Sequence, residues 1–299
     1  MIESNVQTTH MTRPQNLKTK IFLDSGDPNE TREIIKLLGF LDGQTTNPTL
    51  IAKNPDAQKR LATGDKFTKE EIYDFYRGVV KEISTLVPAG SVSVEVYADK
   101  NISADEMFTQ GKKMFSWIPN AHIKYPTIAA GLDAAQRSVA ARMRVNMTLV
   151  FSQEQATAVY AATRGAKKGD VFVSPFVGRL DDRGENGMDM IKNILRMYKS
   201  GDGHVEVLTA SVRSMDHFLY AILLGSDIIT APYKILKEWG EKGLPLLGSD
   251  FVYSAKALKD VAYEKIDLLQ NWKEYNIVHE LTDKGIERFA NDWNALIKK

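Results

Sequence analysis

Short apolar runs alternate with longer amphipathic stretches along most of the 299-residue chain. The runs have the composition of buried strands, and the stretches between them have the three-to-four-residue apolar spacing of helices. The predicted strands are Ile21–Leu23, Gly43–Thr46, Val92–Val96, Ile123–Tyr125, Val145–Val150, Val171–Ser174, Val205–Thr209 and Ile228–Thr230. The predicted helices are Glu70–Leu86, Glu106–Trp117, Leu132–Met143, Gln153–Thr163, Met188–Tyr198 and Met215–Leu224.

Strands that alternate with helices form right-handed crossovers and a parallel sheet. Eight strands match the number that closes a (β/α)8 TIM barrel, so we predict an α/β protein of that architecture. An open, doubly wound sheet is the alternative, because closure cannot be seen in a sequence.

Two further amphipathic stretches, Ser254–Leu269 and Thr282–Ile297, follow the last predicted strand. We predict that they form additional C-terminal helices, which pack across one barrel mouth or against a second subunit of a homo-oligomer. No Pro/Gly/Ser-rich tract or charge block divides the chain. We therefore expect a flexible N-terminal extension over 1–18 and a single barrel domain over 19–299, which includes the C-terminal helices at 254–297.

Composition narrows the functional classes. The chain has 39 Lys+Arg, 38 Asp+Glu and a formal net charge of +1, which argues against a nucleic-acid partner. The absence of cysteine excludes disulfides, thiolate catalysis and thiolate-bound metals. The histidines have no short ligand spacing, so we expect neither a metal nor a cofactor. No apolar stretch approaches the roughly 20 residues that span a bilayer, and the N-terminus lacks a secretory core, so we expect no membrane partner and a cytoplasmic location.

Several polar residues interrupt strands that should be almost entirely apolar in a parallel barrel. Asp24 ends the first strand, Glu95 lies on the third and Lys124 on the fourth. Asn146 and Thr148, two residues apart, point to one side of the fifth strand. One interpretation is a buried ion pair of Lys124 with Asp24 or Glu95. Because such a pair often only breaks even against apolar packing, a set of three charges near the catalytic end of a barrel favours chemistry.

The chemistry that this set suggests is imine formation. Desolvation lowers the pKa of a lysine and leaves a neutral amine that can attack a carbonyl. Carbinolamine dehydration and carbon–carbon cleavage then need general acid–base help, which Asp24 and Glu95 could supply. An aldolase type with Lys124 as nucleophile is the favoured interpretation, and a metal-dependent barrel lyase is the alternative.

A phosphate site is predicted beside these groups. Arg179 follows the sixth strand, and Ser211 and Arg213 follow the seventh. TIM barrels often bind phosphate in their last loops, and two arginines suit its oxygens. The alternative is that the arginines pair with surface acids, such as Asp181 or Asp182.

The segments around these residues make the chain resemble the transaldolase family. The matching segments, in the family's order, are FLDSGDP at Asp24, GQTTNPTLI at 43–51, VSVEV at 92–96, IKYP at 123–126, NMTLVFS at 146–152, SPFVGR at 174–179 and TASVRS at 209–214. The terminal HELTDKGIERFANDW also resembles the C-terminus of the shorter transaldolases.

The resemblance implies a class I mechanism in a TIM barrel. Lys124 would form a Schiff base with sedoheptulose 7-phosphate or fructose 6-phosphate, and Asp24 would move the proton as the C3–C4 bond breaks. Glu95, with Thr148 and a bound water, would manage protons during imine formation and hydrolysis. The dihydroxyacetone unit would pass to glyceraldehyde 3-phosphate or erythrose 4-phosphate, a non-oxidative pentose phosphate step. The implied substrate-binding residues are Thr45, Asn47, Asn146, Ser174 and Phe176 for the sugar, and Arg179, Ser211 and Arg213 for the phosphate.

One segment departs from the family pattern. After the lysine the family usually has K-I-P-A-T-W-E-G, whereas this chain has KYPTIAAG, so that Thr127 takes the alanine position and Ile128 the threonine position. A non-catalytic sugar-phosphate-binding protein is therefore a second alternative.

A third alternative is fructose-6-phosphate aldolase, a sister group that releases free dihydroxyacetone. That group tends to have glutamine in place of Glu95 and tyrosine in place of Phe176. The residues of this chain favour transfer, although DDRGENG at 181–187 is more like the short members.

Overall fold

Eight parallel strands close into a barrel in the computed structural model, which describes residues 12–255 and 257–298. Each strand pairs with the next, and the last pairs with the first, in parallel register. The strands are β1 Lys20–Asp24, β2 Gly43–Thr45, β3 Ser91–Glu95, β4 Ala121–Pro126, β5 Val145–Val150, β6 Val171–Pro175, β7 Val205–Thr209 and β8 Ile228–Ala231. The predicted TIM barrel is confirmed, and the open sheet is excluded.

Helices cover the outside of the barrel and fill its connections. They are α1 Pro28–Leu38, α2 Pro48–Ala52, α3 Pro55–Ala62, α4 Lys69–Leu86, α5 Ala104–Phe115, α6 Ala129–Ala140, α7 Gln153–Ala162, α8 Val177–Asp182, α9 Gly187–Tyr198, α10 Met215–Leu224, α11 Tyr233–Glu241 and α12 Glu280–Asn294. The six helices predicted between strands are confirmed with shifts of a few residues at their ends. None of the helices in the described part of the chain is long and apolar enough to cross a membrane.

Three helices that the apolar spacing did not predict share one start signal. In α1, α2 and α3 the first residue is proline, and the preceding Asp27, Asn47 or Asn54 accepts a backbone N–H with its side chain. An Asx cap followed by proline is a recognised helix start, because the cap satisfies a free N–H and proline has none to satisfy. The Asx-Pro pairs in the sequence therefore indicate these helices, which the spacing of apolar residues did not predict.

The predicted helix Ser254–Leu269 is wrong. The described residues of this stretch, 254–255 and 257–269, are irregular, with one isolated bridge between Glu185 and Lys259. Side chains of the barrel bind its backbone instead: Asn193 donates to the Val261 carbonyl at 2.7 Å, and Gln153 donates to the Ala262 carbonyl at 2.9 Å. These tertiary bonds take the place of the backbone bonds that a helix would have made.

The second predicted C-terminal helix, Thr282–Ile297, is confirmed as α12. The Thr282 hydroxyl donates to the Leu149 carbonyl at 2.9 Å, and the Thr49 hydroxyl donates to Asp292. Leu149 has a left-handed φ of 59° at an irregularity in the β5–β6 pairing, and its side chain packs against Gly285. The helix is thus fixed from β5 and from α2, both at the end of the barrel where the strands finish.

The predicted N-terminal extension is described only from Thr12. Residues 1–11 lie outside the described part of the chain. Arg13 makes an ion pair of 2.7 Å with Asp42 and lies over the Phe40 ring, and Leu17 is buried. This part of the segment is therefore attached to the barrel.

Gly111 allows α5 to pack directly on β4. A Cβ at this position would lie 1.9 Å from the hydroxyl oxygen of the fully buried Tyr125. Gly111→Ala is expected to lower the free energy of unfolding by about 1–3 kcal/mol, since a packed core does not absorb an added carbon without strain. Urea unfolding followed by circular dichroism measures this change.

Gly78→Ala is the matched control, because Gly78 also lies inside a helix and a Cβ there would meet nothing within 4 Å. It should stabilise the protein by about 0.5–1 kcal/mol through the higher helix propensity of alanine. Equal effects of the two substitutions would contradict the packing argument.

Candidate active site

A cavity of about 160 Å³ opens where the strands of the barrel end. Many of the predicted site residues line it. From or just after the strand ends come Asp24, Thr45, Asn47, Lys124 and Ser174. From the following connections come Phe176, Arg179 and Ser211. Residues that are far apart in the sequence thus share one small space at the catalytic end of the barrel.

Lys124 and Glu95 form a buried ion pair in the barrel wall. The β3–β4 register places the two residues side by side, and the Lys124 Nζ lies 3.1 Å from the Glu95 Oε2. Nζ also donates to the Thr46 carbonyl at 3.2 Å. Each side chain is only 3–4% exposed. A buried ion pair is one interpretation of the sequence, and the structure contains this pair between Lys124 and Glu95, on neighbouring strands. Lys124 also lines the cavity.

The carboxyl of Glu95 has a raised pKa. Burial raises its pKa to about 7, although the neighbouring Lys124 lowers it, because the charged form loses the hydration that water would give. The Tyr76 hydroxyl accepts the Glu95 backbone N–H at 2.9 Å and so helps to hold this residue in place. A carboxyl with a pKa near neutral can both accept and donate a proton under ordinary conditions, which is the requirement for general acid–base catalysis.

Asp24 contributes a carboxyl to the lining of the cavity, whereas Glu95 reaches the site through its pair with Lys124 and does not line the cavity. The Thr45 hydroxyl donates to its Oδ1 at 2.6 Å and lies 2.6 Å from the Thr230 hydroxyl. Burial raises the pKa of Asp24, whereas the charge of Lys124 and the bond from Thr45 lower it. Asp24 and Glu95 reach the site from different strands, so a lysine with two separately held acids is present.

A polar layer lies next to Lys124 on β5 and β6. Lys124 is in register with Asn146. The Ser174 hydroxyl donates to the Asn146 Oδ1 at 2.6 Å, and the Asn146 amide donates to the Ser93 hydroxyl at 3.1 Å. The Thr148 hydroxyl is buried and has no hydrogen-bond partner within the described residues. The layer thus orients one amide and leaves one hydroxyl available for a further partner.

The predicted phosphate residues separate into two groups. Arg179 and Ser211 line the cavity. The Arg213 guanidinium instead donates to both carboxylate oxygens of Asp182, at 2.5 Å for Nη2 and Oδ2. The Arg179 Nη1 lies 3.9 Å from Asp182. Arg213 thus pairs with a surface acid, Asp182, which was the alternative to a phosphate-binding role.

The segment that departs from the family pattern lies outside the lining of the cavity. The Thr127 hydroxyl and backbone N–H both donate to the Thr148 carbonyl at 2.9 Å, so this side chain bonds to the barrel wall. Ile128 packs against the hydrophobic core. Gly131 is required by its close approach to Pro126, whose carbonyl oxygen would lie 1.9 Å from an added Cβ. Thr127 and Ile128 therefore lie outside the cavity lining, and Thr127 bonds to the backbone at Thr148.

The four histidines within the described residues have structural partners away from the cavity. His122 stacks on Phe172 and lies 2.7 Å from the Ser91 hydroxyl, and His279 caps the start of α12. His204 pairs with Asp202, and His217 with Asp181. No cluster of three or more histidines and carboxylates suited to a metal ion occurs in the described residues.

Six cavity residues were not identified from the sequence: Thr49, Leu50, Ala210, Thr230, Arg288 and Phe289. Thr230 comes from β8, and Arg288 and Phe289 come from α12. The ERFAND segment had been predicted as helix, but only the tertiary position of α12 brings two of its side chains over the barrel mouth. No local signal distinguished this arginine from other surface arginines on a helix.

Comparisons with known proteins show what this chain is similar to. A sequence model described as Transaldolase/Fructose-6-phosphate aldolase matches residues 21–299. A probable transaldolase of Herpetosiphon aurantiacus is 35% identical over 277 residues, which cover 93% of this chain and 96% of that protein. A probable transaldolase of Dehalococcoides mccartyi is 35% identical over 279 residues, 93% of this chain and 100% of that protein. A solved structure, 3-hexulose-6-phosphate synthase from Salmonella typhimurium, is similar with a TM-score of 0.47 at 12% identity over 76% of this chain and 98% of its own.

The family match covers almost the whole chain, and it includes both the lysine strand and the C-terminal helix of the cavity. The chain belongs to the transaldolase/fructose-6-phosphate aldolase family.

Proposed function

We propose that this protein is a transaldolase that transfers a dihydroxyacetone unit between sugar phosphates through a Schiff base on Lys124. The observation that carries the proposal is the buried Lys124–Glu95 pair at the cavity wall, with Asp24 facing the same space. A lysine nucleophile needs an acid–base partner, and Glu95, with a pKa of about 7, can exchange a proton with it at neutral pH.

Imine formation is the first step of the proposed reaction. The Lys124 amine, having given a proton to Glu95, attacks the C2 carbonyl of the ketose phosphate to form a carbinolamine. Glu95 then returns this proton to the C2 oxygen, which becomes a hydroxyl. Glu95 next takes a second proton from the nitrogen and passes it to that hydroxyl, which leaves as water and produces the protonated imine. The buried Thr148 hydroxyl, with a free hydrogen-bonding capacity among the described residues, is suited to hold that water.

Carbon–carbon cleavage is the second step. The Asp24 carboxylate removes the proton from the C4 hydroxyl, the C3–C4 electron pair moves into the imine, and an aldose phosphate leaves. The raised pKa of Asp24 makes its carboxylate a stronger base than an exposed aspartate. The enamine that remains on Lys124 adds to the carbonyl of a second aldose phosphate by the reverse sequence, and hydrolysis of the new imine releases the product.

The polar lining of the cavity positions the sugar in this proposal. Thr45, Asn47, Asn146 and Ser174 offer hydroxyls and amides to the three-carbon unit, and Phe176 packs against it. Arg179 and Ser211 bind the phosphate, and Arg213 can take part if it leaves Asp182. The donors are sedoheptulose 7-phosphate or fructose 6-phosphate and the acceptors glyceraldehyde 3-phosphate or erythrose 4-phosphate, which is a non-oxidative pentose phosphate step in the cytoplasm.

Release of free dihydroxyacetone, as in a fructose-6-phosphate aldolase, is the second candidate, because the matched family includes both activities. It uses the same lysine chemistry but ends with hydrolysis of the three-carbon imine. In the comparison of family motifs, a carboxylate at Glu95 favours transfer. The two activities can be distinguished by experiment, because only transfer needs an acceptor.

Borohydride reduction in the presence of fructose 6-phosphate is expected to add a three-carbon unit to the peptide that contains Lys124, because hydride reduces an imine to a stable amine. Peptide mass spectrometry measures the addition. Lys124→Ala should remove both the label and the turnover. Unlabelled protein under conditions that label a known class I aldolase would refute the mechanism, and turnover that survives in Lys124→Ala would favour a metal-dependent lyase, which a chelator should then inhibit.

Consumption of fructose 6-phosphate is expected to depend on erythrose 4-phosphate, since the enamine has no rapid exit without an acceptor. Separating the products by chromatography should show sedoheptulose 7-phosphate when the acceptor is present and very little dihydroxyacetone when it is absent. Equal rates with and without acceptor would identify a lyase. Tight binding of the ketose phosphate with no turnover in either case would identify a non-catalytic binding protein.

Glu95→Gln is expected to lower kcat/KM by roughly 100-fold or more, because an amide cannot exchange the proton. In the wild type, kcat/KM should rise as the pH increases through about 7, where the carboxyl of Glu95, whose pKa is raised to about 7, becomes the base. The variant should lack this rise. Steady-state kinetics from pH 5 to 9 measure both effects.

Glu206→Gln is the matched control, because Glu206 is also a buried carboxylate on a strand that pairs with a lysine, at 3.0 Å, but that lysine, Lys20, does not line the cavity as Lys124 does. This variant should keep the rise near pH 7. A rise that persists in Glu95→Gln, or that disappears in both variants, would assign the titration to another group.

A further inference from the structure

The cavity contains few cations that could bind a phosphate. Among the described residues that line it, the cations are Lys124, Arg179 and Arg288, and the acid is Asp24. Lys124 pairs with Glu95 and is the nucleophile in the proposed function, so it is not available for the phosphate. Arg179 and Arg288 are the guanidinium groups that remain. Two such groups suit a phosphate, since each can present two N–H donors to its oxygens.

Arg213 is held away from this space. Its guanidinium binds both oxygens of Asp182, and its side chain lies against the backbone at Gly178, where an added Cβ would be 2.5 Å from the Arg213 Nε. A phosphate could recruit Arg213 only by breaking this two-bond pair. The site as it stands is therefore short of one of the cations that the sequence predicted for it.

Arg288 takes a different position, on the inner side of α12. The helix is fixed over the barrel mouth by the bonds of Thr282 to Leu149 and of Thr49 to Asp292. The nearest acid to Arg288 is Asp292, whose Oδ2 lies 3.8 Å from the Nε, beyond hydrogen-bonding distance. No other acceptor within residues 12–255 and 257–298 binds this guanidinium, and the side chain is 46% exposed. Its donors are therefore available to a ligand.

We propose that Arg288 binds the phosphate of the substrate together with Arg179, so that α12 supplies one half of the phosphate site. The inference rests on the proposed function in taking a sugar phosphate as the ligand. It assigns α12 a role in choosing phosphorylated substrates, in addition to covering the cavity. The neighbouring Phe289 also lines the cavity.

Calorimetric titration of the full chain with inorganic phosphate tests the site without any turnover. Arg288→Gln is expected to weaken phosphate binding by roughly tenfold or more, the loss typical of a charge-assisted hydrogen bond. Lys284→Gln is the matched control, because Lys284 is a cation one turn earlier on α12 that pairs with Glu280 and does not line the cavity. Its phosphate affinity should stay within about twofold of the wild type.

Kinetics with fructose 6-phosphate and with unphosphorylated fructose separate ligand binding from a structural effect. Arg288→Gln should raise KM for the phosphate ester by roughly tenfold with little change in kcat, and should leave the low kcat/KM for fructose unchanged. Equal losses with both sugars would overturn the proposal, since they would mean that the substitution disturbs α12.

Arg213→Gln tests the competing hypothesis that Arg213, and not Arg288, binds the phosphate. Unchanged phosphate affinity in Arg288→Gln together with a large loss in Arg213→Gln would overturn the proposal, because Arg213 would then have left Asp182 for the ligand. Absence of phosphate binding by the wild type would overturn it as well, whatever happens at Lys124. Phosphate binding that depends on Arg288, in a chain that borohydride does not label at Lys124, would support this site and refute the proposed function.

Discussion

The ion pair between Lys124 and Glu95 is the interaction around which the site is organised. Both groups are nearly inaccessible to water, and removing two charges from water costs several kcal/mol per ion, roughly, before their attraction is counted. The barrel bears this cost because adjacent strands hold the two side chains in register and the Thr46 carbonyl accepts one N–H of the amine. The same burial that makes the pair costly raises the pKa of Glu95 to about 7, where a proton can move in either direction. The cost in stability and the raised pKa of Glu95 thus have one physical cause.

The polar residues near Lys124 are arranged by the pleat and the register of the strands. Asn146 lies beside Lys124 because β4 and β5 pair in parallel, and its amide is oriented by Ser93 on one side and Ser174 on the other. Asp24 reaches the cavity from β1 and is oriented by Thr45. Lys124, Asp24 and Asn146 are therefore each held by a residue of another strand, so their positions do not depend on the connections. The strained residue Leu149, at the irregularity in β5, in turn supplies the carbonyl that fixes α12.

Much of the fold and part of the site could be predicted from the chain. Strand positions were predictable because a buried parallel strand needs an apolar run, and the charged residues within those runs, Glu95 and Lys124, were conspicuous for the same reason. The starts of α1 to α3 could also have been predicted, because each has an Asx cap followed by proline. The apolar spacing alone did not indicate these helices. The stretch Ser254–Leu269 has the apolar spacing of a helix, but its described residues are irregular. Asn193 and Gln153 bind its backbone carbonyls, and these long-range contacts cannot be read from the local sequence.

The sequence by itself determined the positions of the eight strands and the presence of an amine and two acids near the strand ends, and it favoured a barrel without showing that the sheet closes. It did so because side-chain alternation and burial are properties of neighbouring residues. Only the tertiary structure decided that Lys124 pairs with Glu95 and not with Asp24, that Arg213 is bound to Asp182, and that α12 brings Arg288 and Phe289 over the cavity. These outcomes depend on which of several possible partners comes within a few ångströms, and that distance is set by packing between elements far apart in the chain.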